Sequence, residues 1–219
     1  MTDCASPRFV VRPYEPRDRE AVREICCETA DNGRPMDAWF PDREIFADLL
    51  MRYYTDCEPQ SLWVAESNTE VVGYLAACQN TRLFRCCMAV WILPVTILKA
   101  LTRGTLWHPK IRELLRANRA AFCHQPRAAI GAYPAHLHIN LRAGFRGLRI
   151  GRSLLQHWLR AAHTARIRGV HVVVRADNTQ ARRFFEAMGF HLLGAGRSYR
   201  LPPDNRLVET CIYGLRLPQ

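Results

Sequence analysis

Lysine is almost missing from this sequence. Of its 31 basic residues only Lys99 and Lys110 are not arginine. Apolar runs are short as well. The longest, Cys86 to Leu98, is interrupted by Pro94 and stops well before the roughly 18–20 residues a membrane-crossing helix needs, so no membrane partner is expected. The opening Met1-Thr2-Asp3-Cys4 carries an early acid and lacks the apolar centre of a secretory signal, which points to a cytoplasmic protein. The nine cysteines form no Cys-x-x-Cys and no Cys/His ligand spacing. A disulfide framework or a metal site is therefore not expected, and buried reduced thiols are. There is no G-x-G-x-x-G and no Gly-Lys-Ser/Thr, which removes the Rossmann and Walker A readings. Internal repeats and low-complexity linkers are also lacking.

What is present describes one globular unit. The 219 residues are 48% hydrophobic and 23% charged, enough for one sizeable core and consistent with a single domain over 1–219. The net charge of +11 is spread along the chain, without a basic tail or any nucleic-acid-binding signature. It leaves open a small polyanionic ligand, for which arginine is suited by its bidentate donors.

Local patterns place the elements. Phe9–Arg12 reads as a strand, and Asp18 as the N-cap of a helix carrying Val22, Ile25 and Cys26. Asp42–Tyr54 reads as a second helix, and Leu62–Ala65 and Val71–Ala76 as a hairpin around Ser67-Asn68-Thr69. Residues 79–134 read as a mostly helical insertion, its apolar part near Val90–Leu101 packed on the sheet, with a membrane-surface helix as the lesser reading because the segment lacks a strongly basic face. His136–Leu141 alternates as a half-buried strand. A helix with Leu154, Leu155, Trp158, Leu159 and Ala162 inward follows, then a buried β-branched strand, Val170–Val174. Asn178 opens a last helix and Gly189 closes it. Strands near Phe190–Leu193 and Val208–Tyr213 complete the order.

Chemistry concentrates in the second half. After a strand comes Arg146-Gly147-Leu148-Arg149-Ile150-Gly151-Arg152, then an amphipathic helix. Glycines let backbone N–H groups approach an anion, the helix N-terminus adds partial positive charge, and the arginines add formal charge. About 25 residues later stands Asn178-Thr179-Gln180-Ala181-Arg182-Arg183-Phe184-Phe185-Glu186-Ala187-Met188-Gly189-Phe190. Together these segments resemble the GNAT family of acyl-CoA-dependent N-acyltransferases, over nearly the whole chain and most closely from Tyr133 to Phe190. The family's Gln/Arg-x-x-Gly-x-Gly/Ala loop falls on Arg146–Gly151, and its Asn-x-x-Ala-x-x-Phe-Tyr-x-x-x-Gly-Phe stretch on Asn178–Phe190. The segment Tyr133–Leu141 also resembles a bacterial branch related to the acetyltransferase-like domain of O-GlcNAc hydrolases.

The resemblance implies an α+β fold with a mixed, mostly antiparallel sheet, splayed between strands four and five and flanked by helices. It implies acetyl-CoA as acyl donor and a primary amine as acceptor, reacting by direct attack, in a monomer or homodimer. The pantetheine arm would lie along Ile139, Asn140, Leu141 and Arg142. The pyrophosphate would sit on Arg146, Gly147, Leu148, Arg149, Ile150, Gly151 and Arg152, with Asn178 and Phe185 completing the cofactor site. Asp37, Trp39 and Phe40 fall where the family shapes its acceptor pocket. Two positions depart from the pattern: Arg149 replaces the first loop glycine, and Phe185 replaces a tyrosine that protonates the departing thiolate. For the base, His136 and His138 share one face of the fourth strand with Asn140 by period-two alternation. His138, nearer the splay, is the first candidate, with an ordinary imidazole pKa near 6.5. The departures keep open a non-catalytic acyl-CoA-binding module, and the charge alone a basic nucleic-acid-associated protein.

Overall fold

The computed structural model describes residues 9–123 and 131–218, with the side chains of 120–123 excepted. The Met1–Cys4 opening and residues 124–130 of the expected insertion lie outside them.

Seven strands form one sheet. In chain order they are β1 (Val10–Pro13), β2 (Leu62–Ser67), β3 (Glu70–Cys78), β4 (Ala135–Leu141), β5 (Gly169–Arg175), β6 (His191–Ala195) and, after a small hairpin, β9 (Thr210–Arg216). Across the sheet they run β1-β2-β3-β4-β5-β9-β6. The hairpin β7 (Tyr199–Leu201) and β8 (Arg206–Val208) stands apart and has no counterpart in the sequence reading. All neighbours are antiparallel except β4 and β5, which are parallel and joined by a crossover through a helix.

That parallel pair is brief. Ala135 pairs with Val170 and His136 with His171, and beyond these the strands diverge. On its other side β4 stays paired with β3 from Cys78–His136 to Gly73–Leu141. The sheet is therefore continuous up to β4 and open past His136.

Helices α1 (Arg19–Thr29) and α2 (Arg43–Arg52) cover one face, and α6 (Ile150–Thr164) covers the other. Strand β3 is buried on both sides, with Tyr74, Ala76 and Cys78 toward α1 and α2, and Leu75 and Ala77 toward α6. The alternation of β4 divides in the same way: Leu137, Ile139 and Leu141 pack on the α6 side. Helix α6 buries Leu154, Leu155, Trp158 and Ala162, as their spacing dictates.

Three local expectations change. Asp18 stands at the N-terminus of α1 but does not cap it, because its carboxylate accepts from the Glu15 N–H (2.9 Å) and the Arg12 guanidinium (2.6 and 2.8 Å). Helix α2 ends at Arg52, and Tyr53–Cys57 winds on as one π turn. Val173 is exposed although its neighbours Val172 and Val174 are buried, because the splay uncovers that side of β5.

Between β3 and β4 run α3 (Thr81–Cys87), a π turn (Met88–Ile92), α4 (Leu93–Thr102) and α5 (Pro109–Cys123). Pro94 has no N–H to give the carbonyl one turn back, and the π turn lies just before it. The Val90–Leu101 part joins the core on the α1–α2 face of the sheet. It docks on α2 through Ile92 and Ala100. Asn80 caps α3 by accepting from the N–H groups of Arg82 and Leu83 (3.0 and 3.3 Å).

Candidate functional site

The divergence of β4 and β5 opens a cavity of about 510 Å³. Its walls are the free edges of the two strands, the turn before α6, and the start of α7 (Thr179–Ala187).

The turn is built for an anion. Gly147 has φ of +79° and Arg149 has φ of +61°, so the chain curls with its amides turned to one side. A left-handed arginine costs about 1–2 kcal/mol relative to glycine, which explains why a glycine is usual there. The first intrahelical bond of α6 runs from Ser153 N–H to Arg149 O (3.1 Å). The N–H groups of Ile150, Gly151 and Arg152 therefore have no helical acceptor and face the cavity beside the positive end of the helix dipole. A Cβ on Gly151 would meet only the Phe184 ring at 3.6 Å and Leu141 at 3.8 Å.

Of the residues expected to hold the cofactor, Ile139, Asn140 and Leu141 present the unpaired edge of β4. Arg146, Gly147, Arg149, Ile150, Gly151 and Arg152 line the turn end, and Asn178 and Phe185 the α7 side. Arg142 and Leu148 are not brought in. The Arg142 guanidinium binds Glu24 (2.9 Å) and Glu28 (3.2 Å) on α1, and Leu148 packs against the α6-side core. Arg146 is partly committed as well, donating to Leu141 O at 3.2 Å. Asn178 is a cap: its Oδ1 accepts from Ala181 N–H (2.9 Å) and its Nδ2 donates to Asn32 (3.1 Å).

Asn32 belongs to a wall that the sequence did not announce. The loop Asp31–Arg34 reaches across the splay. Gly33 lies beside Arg146 on one bank, while the Asn32 amide donates to Asp177 (2.9 Å) on the other. Asp31 accepts from Arg175 and from Arg206 (3.0 Å), and these two guanidinium partners hold its carboxyl below the usual range against the opposing effect of burial. Asp31-Asn32-Gly33 is turn chemistry, but the partners that place the loop lie about 145 residues away in sequence.

The two histidines have separate fates. His136 is buried, and both ring nitrogens are occupied: Nε2 by the Tyr54 hydroxyl (2.9 Å) and Nδ1 by the Thr81 hydroxyl (2.8 Å). Thr81 donates its own proton to Pro134 O (2.7 Å), so Nδ1 of His136 is the protonated nitrogen and Nε2 accepts from Tyr54. Burial, reinforced by His138 and His171, holds it neutral. It does not reach the cleft and is a structural group. His138, two residues on, opens into the cleft. Although the residue is exposed to the cleft, desolvation by the surrounding protein, with His171 nearby, pushes its pKa down to about 4. The ordinary value near 6.5 does not apply.

The expected acceptor residues also lie elsewhere. Asp37 pairs with Arg43 (2.6 Å), while Trp39 and Phe40 pack edge-on with Phe46 at centroid distances of 5.3 and 5.4 Å. None of the three lines the cleft. Phe185 is buried between Phe184 (5.1 Å) and Phe190 (5.2 Å) and has no proton to offer. Among the described residues no group of three or more His, Cys, Asp or Glu is placed to hold a metal ion.

A splayed β4–β5 pair with an amide-lined turn at the start of the following helix is the geometry of an acyl-CoA-dependent transferase. Comparison with known proteins agrees. Residues 113–190 match the acetyltransferase (GNAT) family. The crystal structure of SsHAT is 30% identical over 97% of this chain and 100% of that one, with a TM-score of 0.75. Two further structures share the fold. YncA of Salmonella typhimurium, solved with its cofactor acetyl-CoA, is 14% identical over 96% of this chain and 95% of its own, with a TM-score of 0.59. A ribosomal-protein-alanine N-acetyltransferase from Brucella melitensis is 17% identical over 95% and 99%, with a TM-score of 0.57. The chain belongs to the GNAT acetyltransferase family and is an N-acetyltransferase that uses acetyl-CoA.

Proposed function

We propose that the acceptor is a weakly basic primary amine without further positive charge, and that His138 takes its proton. One observation carries this reading. Among the described residues, arginines aside, His138 is the only side chain lining the cleft that titrates, and no carboxylate lines it. A polycationic acceptor would find no carboxylate counter-charge there among the described residues.

Bound acetyl-CoA supplies the activated acyl carbon and the sulfur that leaves. The chain does the rest. The amides at the start of α6 and Arg149 and Arg152 neutralise the pyrophosphate, and the free edge of β4 aligns the pantetheine arm. As the amine nitrogen bonds to the acyl carbon and the C–S bond breaks, one N–H proton becomes acidic enough for a weak base to remove. A neutral imidazole with a pKa of about 4 meets that need, and the imidazolium it becomes is acidic enough to return the proton through water to the thiolate. No hydroxyl at position 185 is then required.

The reading places the enzyme in the cytoplasm, supported by the unpaired state of its described cysteines. A kinship with the bacterial branch related to O-GlcNAc hydrolases rests on the Tyr133–Leu141 segment. The test is acetyl-CoA turnover across an amine panel. Aryl and other weakly basic amines should outpace polyamines, with kcat/KM flat above pH 6 and falling toward a pKa of about 4. His138→Ala should lower the rate roughly 10²–10⁴-fold. A wild-type rate in that variant, or a preference for polyamines, would refute the assignment.

A further inference from the structure

Thr81–Thr102 is one continuous helical stretch of 22 residues, long and apolar enough by composition to cross a membrane, yet only 17% of its apolar window is buried. What is buried is a narrow stripe, Ile92, Thr96 and Ala100, at four-residue spacing against α2. Lys99 fastens the same side to Asp48 (2.8 Å) and Glu44 (3.1 Å). The opposite side carries Val90, Leu93, Ile97, Leu98 and Leu101, with Val90 74% and Leu98 63% exposed. A soluble monomer rarely leaves so many large apolar side chains together in water.

The charges around this face name its occupant. No Asp or Glu occurs between Glu70 and Glu113 in sequence, while Arg82, Arg85, Lys99, Arg103, Lys110 and Arg112 all do; of these, Lys99 and Arg103 are already paired with Glu44, Asp48 and Asp42. Arg82, Arg85 and Arg112 are exposed and form no salt bridge among the described residues. Trp91, with Arg52 over its ring at 5.1 Å, and Trp107, 70% exposed, stand along and beyond the stretch, in the manner of residues that settle at a membrane interface. A second copy of the chain would bring the same basic rim against itself across a two-fold contact. An anionic lipid surface complements both the apolar face and its rim.

We propose that this face seats the enzyme on anionic lipid, lying in the interface plane and not spanning it. The buried stripe and the Lys99 ion pairs hold the helix to the domain, so only its outer side is available to lipid. The face lies outside the cleft, and its occupation does not depend on the identity of the acceptor.

The experiment uses the full chain and vesicles of phosphatidylcholine with and without phosphatidylglycerol. Binding is expected to the anionic vesicles, weakened by salt, with a blue shift of tryptophan fluorescence. Val90→Glu/Leu98→Glu should reduce it more than about tenfold, since two apolar anchors become charges facing an anionic surface. Arg82→Glu/Arg85→Glu should reduce it and weaken the salt dependence. Both double variants alter exposed positions only and should keep the circular dichroism spectrum and the acetyl-CoA affinity of the parent. Failure to bind anionic vesicles at low salt overturns the proposal. So does a concentration-dependent dimer that Val90→Glu/Leu98→Glu abolishes, because the face would then belong to a second copy.

Discussion

The Arg146 guanidinium lies across Gly33 so closely that a Cβ there would sit 2.2 Å from its Nη1. Gly33 has φ of +85°, and the contact joins the turn before α6 to the loop that crosses the splay. Gly33→Ala therefore strains the backbone and displaces Arg146 from Leu141 O. The expected outcome is a loss of about 1–2 kcal/mol of stability in chemical denaturation, with weaker acetyl-CoA binding by calorimetry. Arg146→Ala should weaken binding comparably without the backbone cost.

Gly151 separates charge from size. Its Cβ position is in ordinary contact with Phe184 and Leu141, so Gly151→Ala should retain acetyl-CoA binding within a few-fold. Gly151→Asp places a carboxylate where the unpaired amides of α6 face the pyrophosphate and should abolish binding, while the helix is if anything stabilised at its N-terminus. Calorimetry on the two folded variants checks both halves. Equal affinity in Gly151→Asp would move the nucleotide elsewhere.

Stability should fall with acid in a window set by histidine. His136, His138 and His171 all have their pKa values lowered, with burial the largest cause in each. A histidine held neutral in the fold binds a proton more readily when unfolded, so stability is intact above about 6.5 and is lost as pH falls toward about 4. The carboxylates act lower: those of Asp42 and Asp177, held at about 2 by arginine partners, weaken the fold only below about 4. Melting temperature should therefore drop by more than about 5 °C between pH 6.5 and 4.5, and His136→Gln should flatten that slope. A level profile across this window would contradict the buried, neutral histidines.

Phe185→Tyr restores a hydroxyl at the cleft wall. If return of the proton to the thiolate limits turnover, kcat should rise about two- to fivefold, with KM for acetyl-CoA unchanged. An unchanged kcat would show that return of the proton to the thiolate does not limit turnover.

Much of this enzyme is legible without coordinates because its signals are local. The alternation of His136–Leu141 assigns opposite faces at two-residue spacing, and Asn178 and Gly189 bracket α7 through bonds within four residues. The turn from Arg146 to Gly151 declares its phosphate chemistry through glycine, arginine and the helix that follows. Tertiary structure alone decided the rest. His136 and His138 look equivalent in sequence, yet Tyr54 and Thr81, 82 and 55 residues away, consume both nitrogens of one and leave the other open. Val173 reads as core within a β-branched run until the divergence of β4 and β5 exposes it. The stretch 81–102 is apolar nearly all round, so periodicity could not say which side α2 would cover. Spacing along the chain determines which side chains share a face, while burial depends on what distant segments bring to that face.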